Sequence, residues 1–184
     1  MLTYRVSDDQ ELKLLEERHA EALFDLLKND WDYFREWMPN LHDNYSLEDA
    51  RSFIRNCLDR FAHGKDFSFG IWCENILAGV VSLKSLDSVN RNASLAYFLG
   101  ASYQGKGLVT TSCRVLLDYA FDELGLHRVD ILCAPENRKS RAIPERLGFK
   151  EEGIFREVQW LHIRFVDLVL YGMLESEWRA KNKT

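Results

Sequence analysis

The stretch GASYQGKG, residues 100–107, decides how this chain is read. From Gly100 to Lys106 it matches the phosphate-binding pattern G-x-x-x-x-G-K. A nucleoside triphosphate site then needs a magnesium-binding hydroxyl, and the next residue is Gly107. A dinucleotide G-x-G-x-x-G fails too: Gly105-x-Gly107 is followed at the third position by Thr110, and no suitable acid closes the next strand. What remains is the setting of apolar strand, glycine loop and amphipathic helix. Such a loop offers backbone N–H groups and a helix N-terminus to phosphate oxygens, whatever molecule carries them.

Outward from the loop, ASLAYFLG (residues 93–100) reads as the last strand of a meander. Its partners are FSFGIWC (67–73) and ILAGVVSLKSL (76–86), joined through Glu74-Asn75 and a turn over residues 87–92. A nucleotide P-loop prefers a parallel βαβ setting, a second argument against that reading. After the loop the spacing predicts a helix over 109–124, with Val109, Cys113, Leu116, Leu117, Ala120 and Leu124 on one face and Gly125 ending it. Residues 128–134 predict a buried strand, a short helix runs to Leu147, and residues 154–174 alternate as a hairpin. On the N-terminal side, residues 3–15 predict a strand broken near 7–10, then a helix at about 17–29 striped by Ala20, Leu23, Phe24 and Leu27. Ser46 opens a further helix in the capping pattern S-L-E-D. The order β-α-α-β-β-β-α-β-α-β-β predicts an α/β (α+β) fold: one mixed sheet flanked by helices on both faces.

The chain has 184 residues, 46% hydrophobic and 29% charged, which fits one domain over 1–184 with a full core. No apolar run is long enough to span a membrane, and the N-terminus lacks a basic-then-apolar secretion signal. Cys57, Cys73, Cys113 and Cys133 form no zinc spacing, so no metal is expected; three lie in apolar surroundings and read as buried thiols, which points to a reducing cytoplasm. Net charge is −5 with no Lys/Arg cluster, which argues against direct nucleic-acid binding. The segment WDYFREWMPN (31–40) has two readings. Its aromatics fold onto the core, or Trp31, Phe34 and Trp37 wall a substrate pocket.

Two strings carry a family resemblance. QGKGLV, from Gln104 to Val109, follows Q/R-x-x-G-x-G/A, and NRKSRAIPERLGFKEEG (137–153) follows N-x-x-S-x-x-x-x-E-x-x-G-F-x-x-E-G. Together they resemble the GNAT acetyltransferases, in the RimJ/RimL-type branch that acetylates ribosomal-protein N-termini. The resemblance covers nearly the whole chain and implies a GNAT-like, mostly antiparallel sheet. It implies acetyl-CoA as co-substrate and direct acetyl transfer to an amine within a ternary complex. The backbone of Gln104, Gly105, Lys106, Gly107, Leu108 and Val109, with Thr110 at the helix start, would then hold the pyrophosphate. The Lys106 side chain adds charge there or is solvated. The strand at Tyr97, Phe98 and Leu99 would bulge and splay from its neighbour, freeing an N–H for the thioester carbonyl and the oxyanion. Asn137 would hold the pantetheine arm and Ser140 would protonate the departing thiolate; the plain alternative for Ser140 is a helix cap or first-turn residue. Pro144 removes the N–H that would bond the Ser140 carbonyl. The chain departs from the family pattern at Val109, at ASLAY in place of A-E-I-G-Y, and at Gln159, where an acidic base is expected. Glu157, expected on the same strand face, or a water would substitute.

An α-amine has a pKa of about 7.7–8.0 and a lysine about 10.4, so near pH 7 roughly a tenth of α-amines are neutral against under one in a thousand lysines. A site without a strong base therefore favours a protein N-terminus, with small amines (antibiotic, polyamine, amino acid) as the alternative acceptors. A non-catalytic acyl-CoA-binding module is the second class of reading, motivated by Gln159. Exposed aromatics and the apolar C-terminal hairpin predict a homo-oligomer.

Overall fold

In a computed structural model, which describes residues 3–182, the predicted strand over 3–15 is a hairpin. β1 (Thr3–Arg5) turns over residues 6–9 into antiparallel β2 (Gln10–Leu14), so the expected break is a reversal. α1 (Ala20–Asn29) buries Ala20, Leu23, Leu26 and Leu27, and α2 (Trp31–Arg35) follows at once. α3 (Leu47–Ala62) starts at the expected cap: Ser46 Oγ accepts the Asp49 N–H, and the Asp49 carboxylate accepts the Ser46 N–H at 2.8 Å.

β3 (Phe67–Cys73), β4 (Ile76–Asp87) and β5 (Asn92–Leu99) form the meander. Glu74 and Asn75 both take positive φ, as a two-residue hairpin turn requires. α4 (Leu108–Asp118) leads into one wide π turn over Tyr119–Glu123, closed by Leu124 N–H on the Tyr119 carbonyl. The wide turn shifts the helix face, so Phe121 enters the core while Leu124 is half-buried. β6 (Arg128–Cys133), α5 (Arg138–Leu147), β7 (Lys150–Leu161) and β8 (Arg164–Leu174) follow, and α6 (Glu175–Asn182) continues directly from β8.

Among the described residues eight strands run in the order β1-β2-β3-β4-β5-β6-β8-β7, and of their pairings only β5–β6 is parallel. One core cluster packs α4 and Phe121 against Phe69, Ile71, Val81 and Ile131; the other packs α1 and α3 against Leu77 and Val80. The mixed, mostly antiparallel sheet with helices on both faces is the architecture expected. β5 keeps an unbroken register with β4 from Lys84–Ser94 to Gly79–Leu99; the irregularity lies between Lys84 and Asp87. The expected bulge at Tyr97–Leu99 is therefore absent from that pairing, whereas the expected splay is present. β5 pairs with β6 only from Asn92–Arg128 to Ser94–Asp130, and the strands part beyond.

Candidate active site

The parting of β5 and β6 makes the site. Gly100 N–H donates to the Ala78 carbonyl at 2.8 Å, towards β4. Backbone groups alternate along a strand, so the N–H groups of Leu99 and Tyr97 point the other way, into the notch that β6 has left. The notch opens into a cavity of about 800 Å³. Its walls are Tyr33, Phe34, Trp37 and Met38 from α2 and the turn after it, Tyr97–Leu99 from β5, the glycine loop, and the end of β6. α5 adds Lys139, Ser140, Ile143 and Arg146, and the terminal hairpin adds Gln159, Leu161 and Leu168.

At one end the loop is built for an anion. Gly105 and Gly107 both take φ near +78°, a conformation that glycine adopts without strain. Among the described residues, the amides of residues 105–110 meet no acceptor. Four of the six belong to Gly107 and to the first turn of α4, where a helix leaves its N–H groups free. The Gln104 side chain takes Lys139 Nζ on its Oε1 at 2.8 Å, while its buried Nε2 has no partner. Arg146 donates to Thr110 Oγ1 at 2.8 Å, bringing a second cation to this end. Gln10 clamps the helix start from behind: its Nε2 donates to the Leu108 carbonyl and to Ser112 Oγ, and its Oε1 accepts from Thr111 Oγ1.

At the other end, Asn137 caps α5 by accepting the Ser140 N–H at 3.0 Å. Ser140 Oγ lies 3.2 Å from Cys133 Sγ, and Tyr97 OH donates to the Ser140 carbonyl at 2.8 Å. Burial raises the Cys133 thiol and drives the Tyr97 hydroxyl well above its ordinary range, so both stay protonated at neutral pH.

Residues 11–150 match the family described as the acetyltransferase (GNAT) domain. The chain belongs to the GNAT acetyltransferase family. It is 36% identical over 186 residues to a Bacillus subtilis protein that carries the name ribosomal N-acetyltransferase YdaF, covering 98% of this chain and all of that one. A solved acetyltransferase from Salmonella typhimurium, which modifies the N-terminal serine of ribosomal protein L7/L12, superposes with a TM-score of 0.88 at 25% identity, over 94% of this chain and 99% of that one. The microcin C7 self-immunity acetyltransferase MccE, solved with acetyl-CoA and AMP, gives 0.86 at 29% identity, over 92% and 94%. This GNAT protein is thus an acyltransferase with relatives in the ribosomal-protein branch, and the family's acyl donor is acetyl-CoA.

The GNAT chain's own residues fit that donor. Six open amides, an unpartnered Gln104 Nε2 and two nearby cations suit a pyrophosphate, and a notch with free strand N–H groups suits a thioester carbonyl. Of the residues picked from sequence, Tyr97, Phe98, Leu99, Gln104, Gly105, Gly107, Leu108, Val109, Thr110, Asn137, Ser140, Phe34 and Trp37 all line the cavity. Three stand outside it. Lys106 turns its Nζ over the Tyr103 ring, Trp31 packs on Tyr45, and Glu157 is exposed with its N–H on Asp167 Oδ1. Tyr33, Lys139 and Arg146 line the cavity without having been singled out. For the last two a signal exists: with Ile143 they recur at i, i+4 and i+7 on α5.

Proposed function

We propose that this acetyltransferase acts on the α-amine of a protein N-terminus, a ribosomal protein first, in a ternary complex with acetyl-CoA. One observation carries the reading: among the described residues, no carboxylate and no imidazole line the cavity. An acceptor that reaches it as a neutral amine needs no base, and an α-amine does so at neutral pH far more readily than a lysine. The names of the relatives support the ribosomal acceptor.

In the proposed step the amine nitrogen attacks the thioester carbon, and the Leu99 N–H meets the developing oxyanion. The N–C bond forms and the C–S bond breaks. Ser140 passes its proton to the departing sulfur and regains one from solvent, while the amine's surplus proton leaves to water. Cys133, held as a thiol, sits 3.2 Å from Ser140 Oγ and fixes the place of that hydroxyl beside the departing sulfur. The backbone of residues 105–110 and Gln104 hold the pyrophosphate, and Asn137, whose Oδ1 is spent on the cap, offers its amide hydrogens to the pantetheine arm. The sheet runs unbroken from β1 to β7, which supports reading residues 1–184 as one domain. Four free cysteines among the described residues support a reducing, cytoplasmic setting.

Intact-mass analysis of total ribosomal proteins incubated with the enzyme and acetyl-CoA tests the reading. The expected outcome is one acetyl increment mapped to one N-terminus. No increment, with acetyl-CoA bound, would overturn it in favour of small amines, the reading favoured by Tyr33 and Trp37 on the cavity wall. Binding without thiol release across an amine panel would instead mark a non-catalytic acyl-CoA module.

A further inference from the structure

Pro144 lies inside α5 and has no N–H. In a regular helix the N–H of residue 144 bonds the carbonyl of residue 140, so the Ser140 carbonyl is left without its helical partner. An unpaired carbonyl in so enclosed a place is costly. The missing donor is supplied from the far wall of the notch, by the Tyr97 hydroxyl at 2.8 Å. Ser140 is then held at three points: its N–H by Asn137, its carbonyl by Tyr97, and its hydroxyl by Cys133. The Tyr97 bond also spans the strands that have parted, tying β5 to α5 where no ladder bond joins β5 to β6.

We propose that Tyr97 is a positioning residue: its hydroxyl replaces the helical bond that Pro144 removes, and so aims Ser140 at the leaving sulfur. The proposal rests on Ser140 as the proton donor. Its particular consequence is that the two residues compensate. Restoring an N–H at position 144 makes the hydroxyl at 97 dispensable.

The experiment is a double-mutant cycle on the full chain, read by thiol release with an N-terminal peptide acceptor, by acetyl-CoA affinity and by thermal unfolding. Tyr97→Phe should lower kcat about tenfold, the rate equivalent of one well-formed hydrogen bond, with acetyl-CoA affinity unchanged. Pro144→Ala alone should leave kcat near the parent value. Tyr97→Phe with Pro144→Ala should recover most of the loss. A double variant no faster than Tyr97→Phe, with both folded, overturns the proposal, as does a Tyr97→Phe enzyme at the parent rate. Ser140→Ala separates the premise: a Ser140→Ala enzyme at the parent kcat discards the proton donor itself, an outcome distinct from failed rescue. A fall in affinity matching the fall in kcat would mark Tyr97 as a structural prop only.

Discussion

Between Phe155 and Gln159 strand β7 takes four steps where β8 takes two, from Leu168 to Val166. The two extra residues break the alternation that would have put Glu157 on the face of Gln159. Glu157 adopts φ of 50° and gives its N–H to Asp167, and its carboxylate stays outside the cavity. Glu157→Gln should therefore keep kcat/KM within about twofold of the parent. A loss of turnover would instead require the hairpin to swing that carboxylate inward. With no carboxylate or imidazole among the described residues of the walls, kcat/KM should climb about tenfold per pH unit and level off near the acceptor's own pKa, about 8 for an N-terminal peptide. The sign follows from the nucleophile: deprotonation of the amine creates it, so activity is lost as pH falls. A pH–rate series on two peptides whose N-terminal amines differ in pKa checks this, because the plateau must move with the peptide. At this scale the glycines of the loop and the Asn137–Ser140 spacing were legible, because each is tied to a backbone need that the sequence states. Tyr33 was not, since its place on the wall depends on how α2 is oriented. Pro144 announced an orphaned carbonyl, but its partner lies 43 residues away and only the fold reveals it.

At the scale of elements, the donor site depends on how α4 is held. Gln10 is 3% exposed and makes three hydrogen bonds to residues 108, 111 and 112, so the N-terminal hairpin fixes the turn whose amides face the cavity. Gln10→Leu keeps the volume and removes the bonds. It should raise the acetyl-CoA Kd by about three- to tenfold while kcat at saturation changes little, and lower stability by about 1–2 kcal/mol, or roughly 2–8 °C in Tm. Calorimetry against unfolding scans separates the effects; an unchanged Kd beside a lowered Tm would make Gln10 a matter of folding alone. Nothing in the sequence pairs Gln10 with α4, because the contact spans 98 to 102 residues. Other elements escaped for different reasons. The π turn preserves helical composition while changing the face. α6 has one strong anchor, Trp178, buried with its indole N–H on Asp118, and a single apolar residue sets no period. The meander, the capped α3 and the strand–loop–helix unit were legible because period, turn residues and caps agreed there.

For the whole molecule, the open side of the sheet is the feature that the fold leaves unresolved. β7 is an outer strand, and nine of its twelve residues are exposed before Gln159. Ile154, Trp160 and Phe165 are each about half exposed, and the register puts them on one face of the hairpin. Trp160 and Phe165 already pack edge to face, 4.9 Å between ring centres, which presents a rigid aromatic platform. Scattered apolar residues on a surface need no explanation, but a packed pair of exposed rings beside an unpaired strand edge does. A second copy of the chain answers both: an isologous contact would cover the face and could continue the sheet. The protein should therefore sediment at twice its 21.5 kDa chain mass at micromolar concentration. Trp160→Ser with Phe165→Ser should weaken that association by more than about a hundredfold, since even the two rings of one chain, at roughly 1.5 kcal/mol each, remove about 3 kcal/mol of apolar burial. Because both rings are about half exposed in the single chain, the unfolding midpoint measured under monomeric conditions should fall by only a few degrees, from the loss of their mutual packing. Sedimentation of the parent as a monomer at that concentration would refute the dimer. The same platform, lying on the hairpin that supplies Gln159 and Leu161 to the cavity, would then be free for the body of the acceptor, and the double variant should raise KM for an intact protein while leaving a short peptide unaffected.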